Sequence, residues 1–133
     1  SLTKWGGRMK YIDNFLYTKE HIWLKPNQKK EYFLGITNFA QDLLGDIVYV
    51  DLTLGNKFNI NSSIGTIESV KTASDIIAPS NGKIILINPD ILSNPEKIND
   101  NPHEIWLCQI SLDNEFNQKD YLTKEQYLSL IEN

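Results

Sequence analysis

The sequence predicts a mainly β fold, a β-sandwich or flattened barrel, with short helices at its edges and one helix at its C-terminus. Three observations predict it. Short runs of β-branched and aromatic residues alternate with Gly, Asn and Pro positions along most of the chain. Helix signals are confined to residues 37–45 and 123–131. The 133 residues, 41% hydrophobic and 23% charged, suit one compact domain with its own core.

Two strands with a short helix between them are expected in the first half of the chain. Residues 31–36 form an aromatic and branched run, which predicts the first strand. Thr37 is suited to cap the helix that follows, and Gly45 is suited to end it in the left-handed conformation. Residues 47–52 are dense in strand formers and predict the second strand.

Two β-rich arms and one hairpin are predicted in the middle of the chain. The arms are residues 63–70 and 72–78. The pair Asn81-Gly82 predicts the hairpin, because Asn-Gly between apolar runs favours a type I′ turn. Ile76 and Ile77 should then pair with Ile84 and Ile85.

The segment from residue 88 to residue 102 is expected to be a long, irregular and mobile connection. Three Asn-Pro pairs interrupt it, and such pairs disfavour regular structure. Residues 105–112 then predict a strand. Its alternation gives two sets of side chains, with Trp106, Cys108 and Ile110 on one face and Ile105, Leu107 and Gln109 on the other.

The C-terminal helix has its own start signal. Thr123 and Gln126 have the spacing of a capping box. Leu122 and Tyr127 have the spacing of a hydrophobic staple. A helix over residues 124–131 follows. The side chains expected to face the body of the protein are Tyr127, Leu128 and Ile131.

Composition and charge exclude several classes of function. With 13 Lys and Arg against 17 Asp and Glu, the formal charge is −4 and no basic stripe appears, so nucleic acid and anionic membranes are not expected partners. The longest apolar runs fall far short of a membrane-spanning helix. One cysteine and two histidines supply neither an internal disulfide nor the usual structural zinc set. No nucleophile motif or phosphate-binding glycine loop is present.

The remaining reactive side chains are expected to be structural. Cys108 alternates with apolar neighbours, which favours a buried, inert thiol. Surface or packing roles are favoured for His21 and His103. Because Met9 is the only methionine, residues 1–8 are interpreted as a tag or processing remnant, and residues 9–133 as one domain.

One lysine, Lys71, stands at the reversal between the two β-rich arms. Its neighbours are small or hydroxylic and leave its ammonium group unobstructed. The simplest interpretation is a solvated turn lysine, with Glu68 and Asp75 as solubilising charges. The alternative is functional, because a primary amine on a flexible stem and a rigid scaffold is what a covalent carrier arm requires.

The sequence around this lysine matches a known family. Residues Glu68-Ser69-Val70-Lys71-Thr72-Ala73-Ser74-Asp75 closely resemble the lipoyl-attachment segment of the H proteins of the glycine cleavage system. Further segments occur in the family's order and spacing from about residue 9 to the C-terminal helix. They are Tyr17-Thr18-Lys19-Glu20-His21-Ile22-Trp23, Gly35-Ile36-Thr37-Asn38-Phe39-Ala40, Leu44-Gly45-Asp46-Ile47-Val48-Tyr49-Val50, Ala78-Pro79-Ser80-Asn81-Gly82 and Ile98-Asn99.

The resemblance implies a hybrid barrel-sandwich fold, like that of lipoyl and biotinyl carriers, whose exposed hairpin presents Lys71 for amide linkage to lipoate. It implies a carrier that catalyses no reaction itself. Its partners would be the decarboxylase (P protein), the aminomethyltransferase (T protein) and dihydrolipoyl dehydrogenase (L protein). Lipoate ligase or a lipoyl or octanoyl transferase would attach the cofactor. We expect a monomer.

The resemblance also implies the cofactor-binding residues. Glu68, Ser69 and Val70 accompany Lys71 in the attachment segment, and Asp75 occupies the position of an acid that would bind the aminomethyl amine. His21 joins this set through the segment that ends at Trp23.

Two departures from the family pattern bear on the protected aminomethyl state. The family commonly has Glu where this chain has Ile22, and often a glycine before the tryptophan, where this chain has Glu104-Ile105 before Trp106. An alternative function is therefore a lipoylated protein that relays lipoate to other acceptors or serves a different amine chemistry.

Other carriers and a non-carrier were also considered. Biotin carriers have Ala-Met-Lys-Met at the modified lysine, which Ser69-Val70-Lys71-Thr72 does not match. Lipoyl domains of 2-oxo acid dehydrogenases carry Asp-Lys-Ala and lack the Asn/Pro-rich connection and the capped helix. An unmodified β-sandwich adaptor is the alternative from a different class. The expected compartment is the bacterial cytoplasm, or the mitochondrial matrix in a eukaryote.

Overall fold

The structure, a computed structural model, describes residues 10–115 and 117–132, and of residue 118 the backbone alone. The predicted remnant at residues 1–8 lies outside the described residues. Within them, nine strands form two antiparallel sheets. The strands are β1 (Leu16–Tyr17), β2 (Ile22–Pro26), β3 (Glu31–Ile36), β4 (Ile47–Leu52), β5 (Lys57–Phe58), β6 (Ser63–Ser69), β7 (Ala73–Ile77), β8 (Gly82–Ile87) and β9 (Cys108–Leu112). The helices are α1 (Asn38–Leu44), α2 (Pro89–Ser93), α3 (Lys97–Asp100) and α4 (Lys124–Glu132), with a 3-10 turn at Gln118–Asp120.

The two sheets face each other across the main core. The larger sheet has the order β1-β2-β3-β9-β8-β5, and the smaller one has the order β4-β6-β7. Each contributes alternate aliphatic side chains to one buried cluster, such as Leu34 and Ile84 from the larger sheet and Ile67 and Ile76 from the smaller. This arrangement confirms the predicted mainly β, hybrid barrel-sandwich class with short edge helices and a C-terminal helix.

A second cluster, here called the outer cluster, covers the other face of the larger sheet. Its buried members are Tyr11, Phe15, Tyr17, Trp23, Tyr127 and Leu128. The Trp23 indole Nε1 donates a hydrogen bond to the Pro102 carbonyl at 2.9 Å. Gly35 lies opposite Trp23 in the ladder, and a Cβ on Gly35 would overlap the indole ring. The absence of a side chain at Gly35 therefore makes room for Trp23.

The predicted helix ends are largely confirmed. The Thr37 hydroxyl accepts a hydrogen bond from the Ala40 N–H, which caps α1. The C-cap Gly45 has φ 82° as expected, but its ψ of −160° lies outside the left-handed helical region. Thr123 and Gln126 exchange both bonds of the capping box, at 2.9 and 3.2 Å, before α4.

The hairpin predicted at Asn81-Gly82 is wrong. Strand β7 pairs with β6 in the smaller sheet, whereas β8 pairs with β5 and β9 in the larger one. Residues 78–81 therefore cross between the sheets. Gly82 lacks the positive φ of a type I′ turn, and its role is a close approach, since a Cβ there would overlap the Ser111 carbonyl oxygen.

The irregular connection predicted for residues 88–102 is also wrong, because it holds α2 and α3. The Asn88 side chain caps α2 by accepting from the Asp90 N–H, and Pro89 occupies the first turn. An Asn-Pro pair is thus a helix start here, since proline at the first helical position loses no hydrogen bond. Ile91 and Ile98 anchor the two helices in the core.

The last strand begins later than predicted. Regular pairing starts at Cys108, and the predicted alternation fails before it, because Leu107 and Cys108 are both buried in the main core. Trp106 packs instead on Phe33 beside the outer cluster. No helix in the described ranges is both long and apolar enough to span a bilayer.

Candidate functional site

Strands β6 and β7 form the hairpin predicted around Lys71. Their ladder is antiparallel and continues to the pair Glu68 and Ala73, next to the turn. The turn is closed by the Ser69 N–H, which donates to the Thr72 carbonyl at 2.8 Å. Four residues therefore reverse the chain, and Lys71 lies within the reversal and is exposed.

The turn is held by the backbone and by one hydroxyl. The Ser69 Oγ accepts hydrogen bonds from the N–H groups of Lys71 and Thr72, at 3.3 and 3.1 Å. The Val70 N–H donates to the Asp46 carbonyl at 3.0 Å and ties the tip to the segment before β4. Of Lys71, only the backbone N–H takes part in these bonds, so its side chain can change without loss of the turn.

The stem of Lys71 runs beside Gly45, the C-cap residue that follows α1. A Cβ placed on Gly45 would lie 3.3 Å from Lys71 Cε and 3.9 Å from its Nζ. Within the described residues, no hydrogen bond or ion pair holds the Lys71 amine. Gly45 therefore leaves space for the stem, and the amine is free to react.

Asn99 fixes the segment to which the tip is tied. Its side-chain Oδ1 accepts from the Ile47 N–H at 2.8 Å, and its Nδ2 donates to the Ile47 carbonyl at 3.2 Å. This pair of bonds positions the start of β4, directly after Asp46. The α3 helix thus supports the hairpin through Asn99, Ile47 and Asp46.

His21 lies at the other end of α1, remote from Lys71 along the helix axis. Its carbonyl accepts from the Thr37 N–H, and its Nδ1 is 2.7 Å from the Tyr127 hydroxyl, which is 2.8 Å from Thr37 Oγ1. Burial lowers the pKa of His21 from its ordinary value. With seven residues, α1 separates His21 from the Lys71 end by about 10 Å.

The other predicted site residues differ in how near they lie to Lys71. Glu68 and Val70 are exposed at the hairpin end, and Ser69 forms the turn. Asp75 is the third residue of β7 and lies opposite Thr66, two ladder positions beyond the Ala73–Glu68 pair that adjoins the turn. Its Oδ1 accepts a hydrogen bond from the Ser63 hydroxyl at 3.1 Å. The hairpin therefore groups Glu68, Ser69 and Val70 with Lys71, but not Asp75.

Two reactive side chains outside the hairpin are structural. His103 is buried, and it receives the Asn38 N–H on Nε2 while its Nδ1 lies 2.7 Å from the Lys10 carbonyl. Burial lowers the pKa of His103 to about 4. Cys108 is fully buried, and burial raises the pKa of its thiol to about 12. Among residues 10–115 and 117–132, no three His, Cys, Asp or Glu side chains cluster as a metal site requires.

An exposed primary amine at the tip of a rigid hairpin can accept an acyl group without disturbing the fold around it. Known proteins share both the sequence and this architecture. A model of the family described as glycine cleavage H-protein matches residues 15–133. The chain belongs to the glycine cleavage H-protein family. Its function is that of a lipoyl carrier in glycine cleavage.

Individual relatives agree with this assignment. The glycine cleavage system H protein of Oceanobacillus iheyensis is 40% identical over 93% of this chain and 99% of its own length. That of Listeria monocytogenes serotype 4a is 41% identical over 90% of this chain and 96% of its own. The crystal structure of a glycine cleavage system H protein from Mycobacterium marinum superposes with a TM-score of 0.80 at 29% identity, over 92% and 100% of the two chains.

Ile22, where the family commonly has Glu, is buried in the structure. Ile22 is 2% exposed, lies opposite Ile36 in the ladder and belongs to the main core. No carboxylate is therefore available at this position to bind an amine. Glu104 is exposed, whereas Ile105 packs against the core.

Sequence reasoning missed the support of the hairpin. It singled out the residues beside Lys71 in the chain but not Gly45, Asp46 and Asn99, which hold the tip from other elements. A signal was present, since the segments Leu44–Val50 and Ile98-Asn99 were among those shared with the family. What they contribute to the site became visible only in their contacts.

Proposed function

We propose that Lys71 is the residue that carries the lipoyl group, and that the aminomethyl group of glycine travels on this arm. The observation that carries the proposal is the exposed amine of Lys71, unpaired among the described residues, at a turn that its side chain does not hold together. Modification at this position therefore leaves the hairpin intact.

Attachment converts the Lys71 amine into an amide. The neutral nitrogen attacks the activated carboxyl carbon of lipoate, a C–N bond forms, the activating group leaves and the nitrogen loses a proton. The formal charge of the chain, 13 − 17 = −4, becomes 12 − 17 = −5. The proposed enzyme for this step is lipoate ligase or a lipoyl or octanoyl transferase.

When bound, the lipoyl group supplies a reducible dithiolane, which the chain's own residues do not provide. Ser69 and Val70 fix the direction of the tip through their bonds to the turn and to Asp46. We assign Glu68, Asp75 and His21 to the surface over which the arm moves. The carboxylate of Asp75 would bind a cationic amine.

The proposed partners are P protein, T protein and L protein. Each would act in turn on the same lipoyl arm. The chain holds and orients the arm and catalyses no step itself. Its net negative charge suits transient docking, in which surface charges raise association rates more than affinity. We further propose that residues 9–133 form one domain, that the carrier is a monomer and that it works in the bacterial cytoplasm.

Intact mass after co-expression with lipoate ligase and lipoate tests the attachment site. The wild-type chain should gain one lipoyl group, mapped to Lys71 by peptide analysis. The matched variant Lys71→Arg keeps the charge but should gain none. A wild-type chain that stays unmodified would contradict the carrier function and favour the unmodified adaptor.

A second function, relay of lipoate without full glycine cleavage, is favoured by the burial of Ile22. The test is the rate at which the aminomethyl group is lost from loaded protein in Ile22→Glu, with Ile22→Gln as a size-matched uncharged control. Under the relay function, Ile22→Glu should slow the loss and Ile22→Gln should not. Equal rates in both variants and in the wild type would show that Ile22 does not decide between the two functions.

A further inference from the structure

Strand β4 contains an irregularity that turns an apolar side chain outward near Lys71. Ile47 lies opposite Ser69 and Tyr49 lies opposite Glu68, so Val48 is an extra residue in β4. A regular strand would alternate, whereas here Ile47 and Val50 are buried and the two residues between them are exposed. Such bulges commonly re-aim a side chain next to a functional site.

The two outward residues belong to a surface that includes the hairpin tip. Val48 is 43% exposed, Tyr49 is 52% exposed and Val70 is 71% exposed. Tyr49 lies opposite Glu68, and Val70 is bonded to the carbonyl of Asp46, two residues before Val48. We call Val48, Tyr49 and Val70 the bulge patch. It adjoins Lys71 through the sheet pairing and through the turn.

The bulge patch combines exposed apolar side chains with neighbouring carboxylates, as protein interaction surfaces do. Fully solvated turns and sheet faces are usually polar, and neighbouring exposed apolar residues mark interaction sites more often than isolated ones do. The exposed carboxylates of Asp46 and Glu68 stand beside the bulge patch. A complementary partner would have an apolar centre and a basic rim.

The length of the unmodified lysine indicates which partner this is. Before modification the amine extends only one four-carbon stem from the hairpin, so an acylating enzyme must touch the tip to reach it. Enzymes that act on the far end of a loaded arm do not need this contact. We propose that the bulge patch is the docking surface for the enzyme that acylates Lys71. This inference rests on the proposed attachment site.

The test is steady-state acylation of the full-length apo chain by purified lipoate ligase with lipoate and ATP, followed by intact mass. Tyr49→Ser combined with Val48→Ser should raise the KM for the carrier about tenfold and leave kcat within about twofold. Tyr49→Phe keeps the apolar ring and should leave KM near the wild-type value. Melting temperatures of all variants should match the wild type, since the changed side chains are exposed.

Ile60→Ser is the matched control, because Ile60 is also 52% exposed but precedes β6 at the end of the hairpin remote from Lys71. Its KM should not change. An unchanged KM in the double variant, an equal rise in Ile60→Ser, or a fall in kcat alone would overturn the docking surface. So would a double variant that is acylated normally but exchanges poorly with P or T protein. Absence of acylation in the wild type would instead contradict the attachment site itself.

Discussion

The hairpin tip and the outer cluster hold their polar groups in opposite ways. At the tip, the backbone and Ser69 Oγ bond to one another, and the Lys71 amine is exposed and has no partner within residues 10–115 and 117–132. In the outer cluster and beside it, Tyr127 and His103 are buried and bonded to backbone or side chains. In the described residues, no buried side-chain nitrogen or oxygen lacks a partner.

This difference separates function from stability. A buried polar group that loses its partner costs free energy, whereas an exposed amine that gains an acyl group costs almost none. Changes in the outer cluster should therefore lower stability and leave acylation of the folded chain intact. Changes at the tip should do the reverse.

The largest expected effect is that of Trp23→Ala. The substitution removes a 2% exposed indole and its hydrogen bond to Pro102, and should lower the free energy of unfolding by about 3–5 kcal/mol. Denaturant unfolding measures it. The acylation rate of the fraction that remains folded should equal that of the wild type. A loss of acylation in folded protein would show that the outer cluster contributes to function as well as to stability.

A pH effect of similar size is expected from His103. Its pKa is about 4 in the folded protein against an ordinary value of 6.5, so below pH 6.5 the unfolded chain binds a proton that the folded chain does not. Its contribution to stability is complete above pH 6.5 and is lost as pH falls towards 4, amounting to about 3 kcal/mol. Urea unfolding between these pH values measures the loss. His103→Gln retains a donor and an acceptor, and a steep loss in that variant would contradict the assignment.

A smaller effect is expected at Gly45, where the tip and α1 meet. With φ 82° and ψ −160°, Gly45 adopts a conformation almost restricted to glycine, so Gly45→Ala should cost about 1–3 kcal/mol. Gly55→Ala is the control, since Gly55 has φ +80° but nothing within 4 Å of an added Cβ. If Gly45→Ala lowers the free energy of unfolding more than Gly55→Ala does, the extra loss should disappear when Lys71→Ala is added. An extra loss that persists in the double variant would show that the Lys71 stem is not its source.

The smallest expected effect is that of Lys71→Ala alone. Because the amine is exposed, has no partner in the part of the chain that the structure describes, and the turn is held by other groups, the melting temperature should change by less than about 2 °C. Scanning calorimetry measures it. A large decrease would mean that Lys71 supports the hairpin, against the arrangement described above.

Local signals in the sequence predicted where helices and turns lie better than they predicted which strands pair. The caps of α1 and α4 and the reversal at Lys71 were predicted because side chains a few residues apart decide them. The pairing of Ile76 with Ile84 was wrong because both are buried in the same core from opposite sheets, and long-range burial chose the partner. The α2 helix was missed because an Asn-Pro pair can start a helix as well as break one.

The site was predicted in the same uneven way. Lys71 stood out because it lies between two β-rich arms with small or hydroxylic neighbours, and the family resemblance implied its hairpin and its cofactor. The link from Asn99 through Ile47 to Asp46 joins elements some 50 residues apart, with sequence separations of 52 for the two Asn99 bonds. No periodicity or local motif reports such a contact.

The complete burial of Cys108 has a consequence for any redox-active group attached to this chain. Thiol–disulfide exchange requires a thiolate that can reach the sulfur it attacks. Cys108 is the chain's only cysteine, is inaccessible, and has a thiol pKa of about 12. Cys108 therefore cannot capture the dithiolane of a lipoyl group on a neighbouring copy as a mixed disulfide.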